Sequence, residues 1–333
     1  MQLSRLFFIA AFFSFLNGLS QVRCGLDNYF LHTESIDQFE KWLSNKQRTA
    51  VTPLYSPIKT KEILDIPVVF HVIHRGENLG TGTNLSDEKI IEQLQILNED
   101  FRKLNDDQIL TPLEFLDVAT DTEINFVLAK QDNEGLPSQG ITRQQGSQST
   151  YNRYEEEILY AENYWPSENY LNIYIADLED YLGWATFPFS DLEGNIEINN
   201  DRLLDGVAID YKWLGINENT GSFNSYGRTL THEIGHYFGL RHLWGSQQNC
   251  STDDYCLDTP HQSTSYSAEC PSETVISCGT SDMYSNYMNY TDDACMNIFT
   301  QNQKERMHVV LNHSPRRNTL PQSPALDNPI ITL

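Results

Sequence analysis

Residues 229–245 contain His232-Glu233-x-x-His236-x-x-Gly239-x-x-His242, and nothing else in the 333 residues restricts the fold as tightly. On a helix of about 3.6 residues per turn, His232 and His236 stand one turn apart on one face, so both imidazoles reach a single metal ion. Glu233 is rotated about 100° from His232, poorly aimed for ligation but able to take a proton from a water that the metal activates. Gly239 adopts a left-handed conformation at low cost, which ends the helix and lets His242 approach the ion from another side. Three neutral nitrogens leave a fourth position open, as in a catalytic rather than a structural zinc site. An isolated H-E-x-x-H is a weaker signal. Here the glycine and the third histidine fall in register, which argues against an ordinary helix that happens to carry two histidines.

Downstream, Asn286-Tyr287-Met288-Asn289-Tyr290-Thr291-Asp292-Asp293-Ala294-Cys295-Met296-Asn297 is followed by Phe299-Thr300-x-x-Gln303-x-x-Arg306-Met307. Together with the histidine motif and Asp254-Tyr255-Cys256-Leu257-Asp258-Thr259-Pro260, these blocks resemble the metzincin metalloproteases. Within them the chain is similar to the pappalysin family, particularly its bacterial secreted members. Weaker similarity runs back to about Ile66, so the resemblance covers most of the chain beyond its leader.

The resemblance implies a zinc endopeptidase acting on proteins or peptides, with Glu233 as general base and acid. It places Met288 in a turn beneath the histidines. Met283 and Met296 compete on sequence alone, and the Asn-Tyr-Met-Asn-Tyr context favours Met288. It makes Tyr290 a stabiliser of the oxyanion, against the plainer role of an amphipathic tyrosine at the edge of the core. It puts Asp254 and Thr259 in a calcium-binding segment, where the alternative is a turn in which both bond their own backbone. Arg23-Cys24-Gly25 resembles a latency motif whose thiolate occupies the open zinc position; the alternative is a disulfide partner for an odd cysteine. The family's two bridges correspond to Cys250–Cys278 and Cys270–Cys295, leaving Cys256 over. Family members that cut before basic residues use a carboxylate near the Met-turn, and Asp292 and Asp293 are candidates. The contrasting reading is a calcium-stabilised binding or adhesion module that keeps the scaffold without turnover; degenerate copies of that kind lose the glutamate or a histidine, and here all are intact.

The N-terminus reads as a secretory signal peptide over residues 1–20: Arg5, an apolar run over 6–16, then small and polar residues. The run is too short to anchor in a bilayer, and no later stretch is long and apolar enough to insert. A secreted protein is expected. With 22 Lys and Arg against 46 Asp and Glu, the formal charge is −24, which disfavours binding to nucleic acid or anionic membranes. Five of the six cysteines crowd at positions 250–295, and in a secreted chain such a cluster reads as disulfides.

Residues 21–61 read as a propeptide, with a short helix at 35–44 and an extended linker around Pro53 and Pro57. The propeptide would act as the chain's own inhibitor, released by a cut near Lys59 or Lys61. Residues 62–313 read as the catalytic domain and 314–333 as a loose tail. Strands are expected at 66–74, 123–129, 170–176 and 205–210, and helices at 154–164, 224–240, 300–311 and after an N-cap at Ser86. His71 and His74 lie in the first strand and are expected to be hydrogen-bonded rather than ligands. Residues 183–187, bounded by Pro188, suit a sheet edge able to pair with extended substrate. The fold class that follows is α/β: an upper lobe of twisted sheet with helices, above an irregular, disulfide-stapled lower lobe.

Overall fold

A computed structural model describes residues 21–26, 33–50, 63–188, 202–217, 225–267 and 270–329. The signal peptide and the linker with Lys59 and Lys61 lie outside the described residues. In chain order the regular elements are α1 (Thr33–Ala50), β1 (Leu64–His74), α2 (Asp87–Phe101), β2 (Ala119–Thr120), β3 (Ile124–Leu128), β4 (Ile141–Gln145), α3 (Glu156–Ala161), β5 (Leu171–Ala176), β6 (Gly183–Ala185), β7 (Val207–Asp210), β8 (Ile216–Asn217), β9 (Ser225–Tyr226), α4 (Arg228–Tyr237), β10 (Phe299–Thr300) and α5 (Gln301–His313), with short 3₁₀ turns between them.

The main sheet has the order β3-β1-β5-β7-β6, and β4 pairs with the second half of β1 beside β3. All of its pairings are parallel except β6 with β7, which is antiparallel. A parallel sheet must be covered on both faces, and β1 meets this with an almost unbroken buried run. Ile66, Val68, Phe70 and Val72 point into the main core with Ile90, Leu97 and Phe101 of α2 and Leu230 and Ile234 of α4. Val69 packs with Trp165, Tyr170 and Ala325 on the opposite face, and Ile73 packs with Tyr160, Tyr174 and Trp184. His71 bonds Thr142 Oγ1 at 2.8 Å and Asn172 Oδ1 at 2.9 Å and stacks on Tyr174; His74 Nδ1 accepts from Gly76 N. Among the described residues neither joins a cluster of candidate metal ligands. Ser86 caps α2 as its sequence implied, its side chain accepting from Lys89 N.

Three expectations are corrected. The first helix runs eighteen residues, not ten, because Phe39, Trp42 and Leu43 find an apolar seat against Phe187, Val309 and Val310. The helix carrying the histidines begins at Arg228 rather than 224, since Gly227 takes φ +79° there. Residues 314–329 are not a loose tail: Arg317 is buried, pairing with Asp205 and donating to Tyr237 O and Thr186 O, and Leu320 and Ala325 are fully buried. Short polar stretches with prolines hide such anchoring because one arginine and two apolar side chains carry it.

Candidate active site

Helix α4 packs beneath β6 and beside α2, and its ten residues are all buried. It ends where Gly239 adopts φ +87°, and a Cβ there would also meet Val310 Cγ2 at 2.9 Å. The chain then turns back, and the Nε2 atoms of His232, His236 and His242 converge to separations of 3.0–3.2 Å. The Nδ1 atom of His232 faces Tyr287 O at 2.7 Å, and that of His236 faces Leu240 O at 2.8 Å. A carbonyl only accepts, so both Nδ1 atoms carry the proton and both Nε2 atoms present lone pairs to the same point. Burial, with His236, His242 and Arg23 nearby, holds His232 well below the usual histidine range, so it stays neutral. Converging acceptors repel unless a cation lies among them. Tetrahedral zinc with Zn–N of about 2.0–2.1 Å would set the nitrogens about 3.3 Å apart, so this donor set fits the ion.

Met288 lies directly under α4: a Cβ on Gly235 would stand 2.5 Å from its Sδ. The turn is fixed by Asn286, whose Oδ1 accepts from Met288 N while its amide exchanges bonds with Gln303. Tyr290 presents its ring 4.9 Å from that of His242 and 4.8 Å from Trp244. A supporting network went unseen in the sequence. Buried Asp100 accepts from Thr231 Oγ1 and Tyr287 OH at 2.8 Å each and lies 3.5 Å from Arg228 Nε, tying α2 to α4 and the Met-turn. Burial raises Asp100 to about 6. The signal was available: Gln93 and Asp100 fall on the same stripe of α2 as Ile90 and Leu97, where a polar residue must find a buried partner.

Residues 21–26 lie along the rim of this site. Val22 N donates to Asp180 O, Leu182 N to Val22 O and Gly25 N to Gly183 O, a parallel pairing with the stretch leading into β6. Gly183 passes close to Glu233, with room for a Cβ only 3.0 Å from Glu233 Cγ. The pairing delivers Cys24 Sγ into the group formed by His232, His236 and His242, whose ligand atoms all lie within 4.8 Å of one another, and 3.5 Å from Glu233 Oε2. Arg23 extends away to Asp293 Oδ1 at 2.5 Å and Thr291 O at 2.6 Å. The other oxygen of Asp293 accepts from Tyr226 N and Arg228 N. Of the two aspartate candidates, Asp293 therefore faces the site, while Asp292 bonds Ala294 N and caps a 3₁₀ turn.

Among the described residues the disulfides are Cys250–Cys278 and Cys270–Cys295, as the resemblance implied, and Cys24 and Cys256 take part in neither. Asp254 and Thr259 come together in one loop: Asp254 Oδ1 accepts from Thr259 Oγ1 at 2.6 Å and Cys256 N at 3.1 Å. Burial lifts Asp254 to about 7, and its Oδ2 is buried without a hydrogen-bond partner. A turn that only bonds its own backbone accounts for Oδ1. The orphaned oxygen suits a cation.

Residues 152–312 match the peptidase M43 family, described as pregnancy-associated plasma protein-A. An extracellular metalloprotease of Colletotrichum graminicola is 30% identical over 246 residues, 73% of this chain and 75% of that protein. Among solved structures, mature mirolysin of Tannerella forsythia in complex with a cleaved peptide is 38% identical with a TM-score of 0.72, covering 81% of this chain and 99% of that one. Promirolysin of the same organism is 34% identical with a TM-score of 0.76, covering 90% and 97%. Among the described residues no helix is long and apolar enough to cross a membrane.

Proposed function

The chain belongs to the pappalysin family of metalloproteases, peptidase family M43, and from that premise we propose that it is a secreted zinc endopeptidase made as a latent zymogen. The observation that carries this reading is the convergence of three histidine Nε2 atoms beside a buried glutamate. Zinc held by His232, His236 and His242 would polarise the scissile carbonyl and bring the pKa of a water down to about 7.

The chain's own residues do the rest. Glu233 takes the proton of the attacking water and passes it to the leaving amine, so one carboxylate serves both halves of the hydrolysis. Tyr290 hydrogen-bonds the oxygen on which charge develops. The peptide backbone pairs with the β6 edge, where its register does not depend on side-chain identity. Arg23 occupies the pocket of the residue after the scissile bond, and its pairing with Asp293 supports a preference for basic residues there.

Residues 21–61 act as the propeptide, with the Cys24 sulfur displacing the catalytic water. The parallel course of residues 22–25 along the rim and the larger share of this chain matched by promirolysin than by mature mirolysin support this. Calcium at Asp254 and Thr259 is proposed on the orphaned Asp254 oxygen, as a structural ion. A non-catalytic module is disfavoured, because Glu233 and all three histidines stand in working register.

The test is Glu233→Gln. Removing a general base costs about 10²–10⁴-fold, so casein hydrolysis by the matured protein should collapse while one metal per chain persists by elemental analysis. Substantial turnover in folded, metal-loaded Glu233→Gln protein would end the mechanism.

A further inference from the structure

Helix α1 places a carboxylate on two buried arginines. Both oxygens of Glu40 accept from Arg306 Nη1 and Nη2 at 2.6 Å, and Arg241 Nη1 lies 3.5 Å from the same carboxylate. Both arginines belong to the body of the protease. Arg306 Nε donates to Gly239 O at 2.6 Å, so the guanidinium plane is held by the turn of the histidine motif and does not depend on Glu40 for its aim. Arg241 adjoins His242 in sequence, with its guanidinium over the Tyr255 ring. The arginine pair therefore borders the catalytic groove. It lies beside Phe187 and Val310, over which α1 packs, whereas Arg23 of the same N-terminal segment reaches Asp293.

We propose that Arg306 and Arg241 form a carboxylate-binding subsite of the mature enzyme, covered by Glu40 in the zymogen, that accepts an Asp or Glu side chain of the substrate upstream of the scissile bond. This rests on the reading of residues 21–61 as a removable propeptide. When α1 leaves, two donors of Arg306 lose their acceptor at once, and two neighbouring cations lose the charge between them. The charge of Asp254 acts on Arg306, but Asp254 gives Arg306 no hydrogen bond; its Oδ1 is taken by Thr259 and Cys256. An incoming carboxylate restores the bidentate pair in the geometry that Glu40 already demonstrates. Phe39, whose ring lies 5.6 Å from the Arg306 guanidinium and edge-on to Phe187, leaves with Glu40, which bares Phe187 as an apolar wall of the subsite.

The experiment uses matured protein, its N-terminus read by mass spectrometry, on peptides identical except for Glu, Gln or Leu at each of four positions before the cleaved bond. One position should favour Glu over Gln by about tenfold in kcat/KM, as expected for a charge-assisted bidentate bond. That ratio should shrink in high salt and fall to near one in Arg241→Gln. Arg306→Lys, if it folds, should keep the charge and lose most of the ratio. A ratio near one at every position in protein lacking residues 33–50, or one untouched by Arg241→Gln, overturns the subsite alone. Active protein that still carries residues 33–50 overturns the propeptide reading and the subsite with it.

Discussion

At the scale of single residues, Asp293 faces two ways. One oxygen receives the backbone N–H groups that open α4, and the other receives Arg23. A carboxylate held from behind by two donors is fixed in place, so a basic substrate residue meets it without reorganisation. Asp293→Asn keeps the size and one acceptor but loses the charge. It should cut kcat/KM for peptides with Arg after the scissile bond by about 100-fold, at the lower end for breaking a buried charge pair, and spare peptides with Leu there. Peptide-library profiling reads this, and an equal loss on both would assign Asp293 to structure alone. His71 gives a pH test of the sheet. Burial drives it down to about 4 from 6.5, so it is neutral in the folded protein. Between pH 6.5 and 4 the unfolded chain binds the extra proton, so this histidine's contribution is present above pH 6.5 and is lost as pH falls through the window, by about 3 kcal/mol. Urea unfolding of wild type and His71→Gln should show the steeper acid loss in wild type; parallel curves would reject the assignment.

At the scale of elements, what the sequence disclosed tracked how locally each element is determined. The eight consecutive buried positions of β1, nearly all apolar, and the Ser86 cap with the stripe of α2 depend on neighbours in sequence, and both were legible. The histidine cluster was legible because its geometry follows from helix pitch and one glycine. The start of α4 was not, since Gly227 reads as an ordinary loop glycine until its φ is known. Nor were the long-range charges. Nothing near Asp100, Glu40 or Asp205 in sequence reveals Arg228, Arg306 or Arg317, which arrive from 128, 266 and 112 residues away. The C-terminal segment shows what such a pair does for an element with little apolar surface. Arg317 is buried against Asp205, beneath the Tyr237 ring and two carbonyls. Arg317→Ala leaves Asp205 with Arg316 alone and should destabilise by about 3–5 kcal/mol, the cost of breaking a buried ion pair from one side. Denaturant titration measures it, and a loss under 1 kcal/mol would return the segment to the status of a tail.

At the scale of the whole molecule, the segment before β1 is held at three places by three kinds of chemistry: a thiol among the histidines, an arginine on Asp293, and the apolar and charged face of α1 on α5. Loss of any one contact leaves the other two, so release requires the covalent link to β1 to be cut first and the segment to dissociate afterwards. Activation should therefore show a lag. If the cut falls at Lys59 or Lys61 and the enzyme prefers basic residues, the first mature molecules cut the rest, and Glu233→Gln protein accumulates uncut. Cys24→Ala would remove the thiol proposed to compete with the catalytic water while leaving Arg23 and α1 in place. Its lag should be shorter than that of wild type, and the double variant Cys24→Ala/Glu233→Gln should stay intact, which ties early activation to the protein's own turnover. If Cys24 served only packing, Cys24→Ala would instead melt earlier and activate on the wild-type schedule. Gel time courses of the three proteins at one concentration, with activity sampled alongside, separate these outcomes; an unchanged lag in Cys24→Ala would remove the thiol from the mechanism of latency and leave Arg23 and α1 to account for it.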